Sequence, residues 1–291
     1  MTLHGLYVPL ITPFDERGGV ARDGLAALAH EVLDAGAAGL VALGTTAEPH
    51  ALGERERRAV LDVVAGVCRE RRAALLVGAH TAEALRELGD DEAMAALCLV
   101  PPFLRPGEEA VLAHFARLAE ASPVPLVVYH VPYRTGQELS AEALRRLAEL
   151  PGVAGIKHAV GGIDADTIAL LADVPPGFAV LGGDDAYVSP LLALGAHGGI
   201  LASAHVATAD YAALVAAWRA GEVARARPLG HRLATLSRAL FAEPNPAVIK
   251  AVLHARGRIP TPAVRPPLLP ATPAATARAL RYADEFAAVP A

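Results

Sequence analysis

Short apolar runs alternate with longer amphipathic stretches along this chain. The runs fall at 5–12, 39–43, 74–79, 96–100, 125–131, 153–159, 178–182 and 198–203. Their length and their Gly, Pro and Asp boundaries are those of strands covered on both faces. Between them, helical spacing of apolar residues marks 22–35, 54–70, 82–90, 108–121, 140–149, 164–173 and 186–194, with an eighth stretch at 208–219. Strand and helix in strict alternation predict an α/β protein with a parallel sheet and its helices outside. Eight such units predict closure into a (β/α)8 TIM barrel. The rival is an open doubly wound sheet, whose G-x-G-x-x-G turn after the first strand is absent here. The pattern divides the chain into a barrel at 1–221 and a C-terminal helical extension at 222–291, an appendage that includes the proline-rich stretch 260–270.

Composition narrows the class. The 291 residues are 53% hydrophobic and 20% charged, enough for a large core. A net charge of −5 without a basic run argues against nucleic acid as a partner. Residues 186–209 hold no Asp, Glu, Lys or Arg and are long enough to span a bilayer. Pro190, several glycines and two histidines interrupt them, so a strand and helix of a buried core fit better and no membrane partner is expected. The first residues lack a basic segment and are broken by Pro9 and Pro13, unlike a secretory signal. Cys68 and Cys98 lie in apolar contexts without paired spacing and read as reduced thiols of a cytoplasmic protein.

One residue type changes the picture. Only two of the 26 basic residues are lysine, Lys157 and Lys250, and Lys157 sits inside an apolar run. Lysine is rarely left inside a core. Where arginine serves elsewhere, a lysine kept in a strand suggests a deprotonated, nucleophilic amine. A structural ion pair or a lysine snorkelling from the strand end accounts for it equally well on composition alone. In a barrel, chemistry gathers at the C-terminal strand ends. Gly44-Thr45-Thr46 offers N–H groups and hydroxyls for a carboxylate. Tyr129 offers a proton relay and Arg134 a clamp for a second carboxylate. Together with Lys157 they suit a 2-keto acid held as an imine. A metal centre built from His80, His130, His158 and His205 competes, but adjacent strand residues face opposite ways. If Lys157 and Tyr129 enter the barrel, His158 and His130 face the helices.

The ordered set of motifs resembles the dihydrodipicolinate synthase / N-acetylneuraminate lyase family of class I aldolases, nearly end to end. P-L-I-T-P-F-D at 9–15 is similar to its opening strand, and G-T-T-A-E at 44–48 to its G-T-T-G-E. Y-H-V-P-Y-R-T-G at 129–136 resembles Y-N-V-P-x-R-T-G, and G-I-K-H-A at 155–159 resembles G-I-K-E-A. G-D-D at 183–185 and E-P-N-P at 243–246 also match. The resemblance implies that Lys157 forms a Schiff base with pyruvate, with Tyr129 as proton shuttle positioned by Thr45. It implies that Thr46 binds the keto-acid carboxylate, that Gly183 and Ile200 line the pocket, and that Arg134 takes the carboxylate of the second substrate. It is closest to the synthase branch, which condenses pyruvate with L-aspartate 4-semialdehyde in lysine biosynthesis. A sibling aldolase acting on another aldehyde or a 2-keto-3-deoxy sugar acid, and a non-catalytic paralogue, are the alternatives. No cofactor or metal is expected, and assembly as a homotetramer or homodimer is.

Four departures stand out. Phe103 and Leu104 occupy the loop from which many members take a relay tyrosine of the neighbouring subunit, leaving Tyr133, Tyr187 or water to replace it. Ala47 replaces a glycine, and His130 and His158 replace Asn and Glu. Pro49, His50, Glu54 and Arg57 match the lysine feedback site of some synthases poorly, so strong inhibition by lysine is not expected.

Overall fold

The computed structural model describes residues 3–89 and 93–287. Eight strands, β1 (Gly5–Pro9), β2 (Gly39–Ala42), β3 (Ala74–Gly78), β4 (Ala95–Leu99), β5 (Leu126–His130), β6 (Val153–His158), β7 (Ala179–Gly182) and β8 (Gly198–Ile200), pair in chain order and close into a barrel. Every pairing is parallel, including β8 against β1. The helices are α1 (Arg22–Asp34), α2 (Glu54–Arg71), α3 (Ala82–Arg86), α4 (Glu108–Ala121), α5 (Pro132–Thr135), α6 (Ala141–Ala148), α7 (Ala165–Ala172), α8 (Val188–Ala193) and α9 (Thr208–Arg219), followed by α10 (Val223–Leu240), α11 (Ala247–Ala255) and α12 (Pro273–Ala287).

Strand alternation divides the core in two. Tyr7, Val41, Leu76, Leu97, Val127, Tyr129, Leu181 and Ile200 point inward and form one buried cluster. Their chain neighbours, such as Val8, Leu40, Val77, Cys98, Val128, Ile156 and Val180, face outward and pack with the helices in a second, larger cluster. Local chemistry sets the helix ends. Ser140 and Asp164 cap α6 and α7 by accepting the N–H groups of Ala143 and Thr167. Helix α2 carries Glu54 and Glu56 in its first turn and Arg69 and Arg71 in its last, complementing the helix dipole.

The structure corrects some boundaries. The helix expected over 82–90 stops at Arg86; position 90 lies outside the described residues. Gly89 lowers helix propensity, and the acidic run that follows it is unfavourable in a last helical turn. The first strand ends at Pro9 rather than at 12: Leu10 still donates its N–H to the Val41 carbonyl of β2 at 3.0 Å, while Ile11 and Thr12 turn to His205 and Ala47 for their hydrogen bonds. The segment after β5, to which the sequence pattern assigns no element, folds into the single turn α5, with Pro132 at its start and left-handed Gly136 at its end. Both cysteines are free and buried. No helix among the described residues is long and apolar enough to cross a membrane.

Candidate active site

Strand β6 brings Lys157 into the barrel directly beside Tyr129 of β5, since the two are register partners. The Lys157 amine lies 4.2 Å from the centroid of the Tyr129 ring. Among the described residues it has no hydrogen-bond acceptor and no carboxylate in direct contact. Burial is the main cause that lowers its pKa, to about 8, with Arg134 acting the same way and Asp185 and Asp184 opposing. At pH 7 that leaves about one amine in ten neutral, against about one in three thousand for an ordinary lysine. The Tyr129 phenol is raised, chiefly by burial; Arg134 and the Thr45 hydroxyl pull it back.

Gly183 follows β7, and its N–H donates to the His158 carbonyl at 2.7 Å. A Cβ here would lie 2.8 Å from Lys157 Cγ and 2.9 Å from its Cε. Glycine is therefore what lets the chain run along the lysine stem. Gly183→Ala should lower turnover by about 100-fold through misplacement of the amine, with a shift of only a few degrees in Tm. Steady-state kinetics beside a thermal melt would check this; unchanged kinetics would show that the stem gives way freely.

The other polar groups come from the loops above. Thr45–Ala47 forms a 3-10 turn after β2, and the Thr46 hydroxyl, buried, accepts the Asn245 Nδ2–H at 3.0 Å. Arg134, on α5, is exposed at the mouth and acts electrostatically on both Tyr129 and Lys157. Ile200 ends β8 within the same interior cluster as Tyr129, without a polar contact to Lys157. All seven residues singled out in the sequence thus lie at the C-terminal end of one barrel.

Two groups that the sequence reading named without a role take one in the structure. Asp185 is buried, and its Oδ2 accepts the Ser203 N–H at 2.5 Å. Burial raises its pKa, and the Lys157 charge opposes that rise. Glu48 and Lys250 form a fully buried ion pair at 2.5 Å. Lys250 also donates to the Ala263 carbonyl at 2.8 Å and lies 4.1 Å from the Phe14 ring centroid, while Glu48 Oε2 accepts the Arg265 N–H at 2.7 Å. The glutamate belongs to the G-T-T-A-E motif, but its partner lies 202 residues away.

His130 and His158 lie on the helix side of their strands, as alternation requires, and His80 and His205 lie beyond the strand ends. His205 accepts the Ile11 N–H at 3.2 Å, and His80 accepts the Leu99 N–H at 3.1 Å. His158 Nε2 pairs with the Thr167 hydroxyl at 2.8 Å. The His130 and His158 rings lie 5.8 Å apart, each with a buried Nδ1 lacking a partner. Among the described residues no group of three or more His, Cys, Asp or Glu is arranged to hold a metal.

Burial pushes His130 down to about 3 and His158 and His205 to about 4. The unfolded chain takes up these protons near pH 6.5 while the fold refuses them. Stability therefore falls as pH drops from about 6.5 toward 4, by a few kcal/mol at the acid end. Melting curves across this window should show that slope, and His130→Asn with His158→Gln should flatten it. An unchanged slope would mean that other groups set it.

A closed barrel with a desolvated amine on β6 beside a tyrosine ring is the arrangement expected of a barrel lyase of the class I aldolase type. The chain belongs to the dihydrodipicolinate synthetase family, whose model matches residues 2–282. It is 38% identical over 275 residues to the 4-hydroxy-tetrahydrodipicolinate synthase of Synechococcus elongatus, covering 90% of this chain and 89% of that one. Among solved structures, the dihydrodipicolinate synthase of Thermotoga maritima superposes with a TM-score of 0.93 at 27% identity, covering 99% of both chains. The synthase of Acinetobacter baumannii, solved with pyruvate, gives 0.90 at 32% identity over 97% of this chain and 99% of its own.

Proposed function

We propose that this enzyme condenses pyruvate with L-aspartate 4-semialdehyde, the 4-hydroxy-tetrahydrodipicolinate synthase reaction. The observation that carries the reading is Lys157, an amine without an acceptor against the Tyr129 ring. Neutral Lys157 attacks the pyruvate ketone; the carbonyl oxygen leaves as water and an iminium forms. Loss of a methyl proton gives the enamine, whose carbon attacks the aldehyde. Tyr129, held by Thr45, moves the protons. Thr46 and the N–H groups of its turn bind the pyruvate carboxylate, and Arg134 takes the carboxylate of the aldehyde substrate. Gly183 and Ile200 line the pocket.

Residues 222–291 act as an appendage that braces the site, because Asn245 holds Thr46 and Lys250 holds Glu48. The protein works in the cytoplasm as a homotetramer or homodimer. The exposure of Phe103 and Leu104, 87% and 79%, supports the assembly; sedimentation of a single 30.0 kDa species would refute it. The reaction is tested by supplying pyruvate with the semialdehyde and following the cyclic product. Turnover with this pair should far exceed that with pyruvate and other aldehydes; preference for another acceptor would refute the assignment.

A further inference from the structure

The N-terminal face of the barrel, at the other end of the strands from Lys157, carries a second concave site. Strand β8 begins at Gly198 and helix α9 ends at Arg219, so the residue before the strand and the last turn of the helix meet at this face. Between them lies a cleft of about 530 Å³, within the size range of small-molecule pockets. Leu192 of α8 and Val215 of α9 line it with apolar surface, and Trp218 adds an indole. His4, His197 and Arg219 supply its nitrogen donors. No Asp or Glu is among the described residues that line it, although the chain as a whole carries a net charge of −5.

Two of these side chains are fixed in advance. His197 Nδ1 accepts the Val180 N–H at 3.2 Å, and the His197 backbone N–H donates to the Val180 carbonyl at 2.8 Å. An imidazole that accepts at Nδ1 carries its proton on Nε2, so the other edge of the ring presents an N–H donor. Trp218 donates its Nε1–H to Ser189 Oγ at 2.9 Å, which anchors the indole as a wall of the cleft. Arg219 is exposed, and among the described residues no carboxylate pairs with it. A ligand that is all charge would leave the indole, Leu192 and Val215 wet. A ligand without charge would leave the guanidinium and the imidazole N–H without an acceptor. A carboxylate on a ring-bearing apolar body satisfies both.

We propose that this cleft is a second binding site, for a free small aromatic carboxylic acid. The carboxylate pairs with the Arg219 guanidinium and accepts the His197 Nε2–H, while the ring lies against Trp218 and the floor of Leu192 and Val215. Lys157 stands near the opposite ends of the strands, so the site is separate from the keto-acid chemistry and takes part in no bond-making step.

Trp218 is the single tryptophan of the chain, so tryptophan emission reports on this cleft and not on the barrel mouth. The test titrates the full-length protein with phenylacetate in low-salt buffer, with pyruvate present in excess to occupy the keto-acid site. The emission of Trp218 should change saturably, with half-saturation in the low millimolar range or below. Arg219→Gln and His197→Asn should each raise the half-saturating concentration at least fivefold. The asparagine Oδ1 keeps an acceptor for the Val180 N–H, and Arg219 is exposed, so thermal melts of both variants should match the parent. Phenylacetamide keeps the ring and loses the charge, and acetate keeps the charge and loses the ring; each should need at least fivefold more than phenylacetate. Absence of a saturable change in the parent protein overturns the site. So does a response that either variant leaves within fivefold of the parent, or one that phenylacetamide or acetate reproduces within fivefold of the phenylacetate concentration.

Discussion

Lys157→Met is expected to abolish turnover, by a factor on the order of 10⁴ or more, and to leave the fold as stable as before or more so. The amine is the group proposed to hold the keto acid covalently, so its loss would remove a step rather than slow one. Lys157→Arg should fail equally, because guanidinium stays protonated and has no lone pair to offer. The stability half of the expectation comes from desolvation. Lys157 is buried without an acceptor, and an apolar chain of similar length takes its place without that cost. Asp185 loses its neighbouring positive charge, but its pKa is already raised, so protonation limits the penalty. The gain should lie between zero and about 2 kcal/mol, in the direction expected when function is traded for stability. Chemical denaturation of the variant beside an activity assay measures both. A folded variant with residual turnover above about 1% of the parent would sink the nucleophile assignment.

Lys250→Met is expected to do the opposite to the fold. Burial lowers the Lys250 pKa to about 8, the same region as Lys157, so the shift alone does not separate the two lysines. Their surroundings do. Lys250 meets Glu48, the Ala263 carbonyl and the Phe14 ring face, whereas Lys157 meets a single ring. Removing Lys250 leaves the Glu48 carboxylate buried without its counter-ion, which costs about 3–5 kcal/mol. Glu48 closes the turn that carries Thr45 and Thr46, so activity should fall as well. Glu48→Gln combined with Lys250→Met should be less destabilising than the sum of the two single changes, since no unpaired charge then remains. A loss below about 1 kcal/mol for Lys250→Met would show that water reaches the pair and that the brace is weaker than its geometry implies.

The contrast explains what was legible in the sequence. The eight strands announced themselves because both faces of each are covered, giving unbroken apolar runs. Lys157 and Tyr129 could be set inside the barrel, and His130 and His158 outside it, from the two-residue period alone. Lysine scarcity marked Lys157 as unusual, but it marked Lys250 just as strongly. Scarcity does not separate them; the strand-end position of Lys157 does, while the ion pair of Lys250 stayed hidden because its acceptors come from positions 48 and 263, which only the closed fold brings near. The short α3 was misjudged because apolar spacing continues past Arg86, while the low helix propensity of the glycine and the charge of the acidic residues that follow oppose continuing the helix.

The central claim is tested most directly by locating the imine. The enzyme is incubated with pyruvate, reduced with borohydride and digested, and the modified lysine is found by mass spectrometry. With two lysines in the chain the outcome is sharply divided. The structure predicts the label on Lys157 alone, with Lys250 unmodified inside its ion pair. No label on the native protein, or a label on Lys250, would contradict the account.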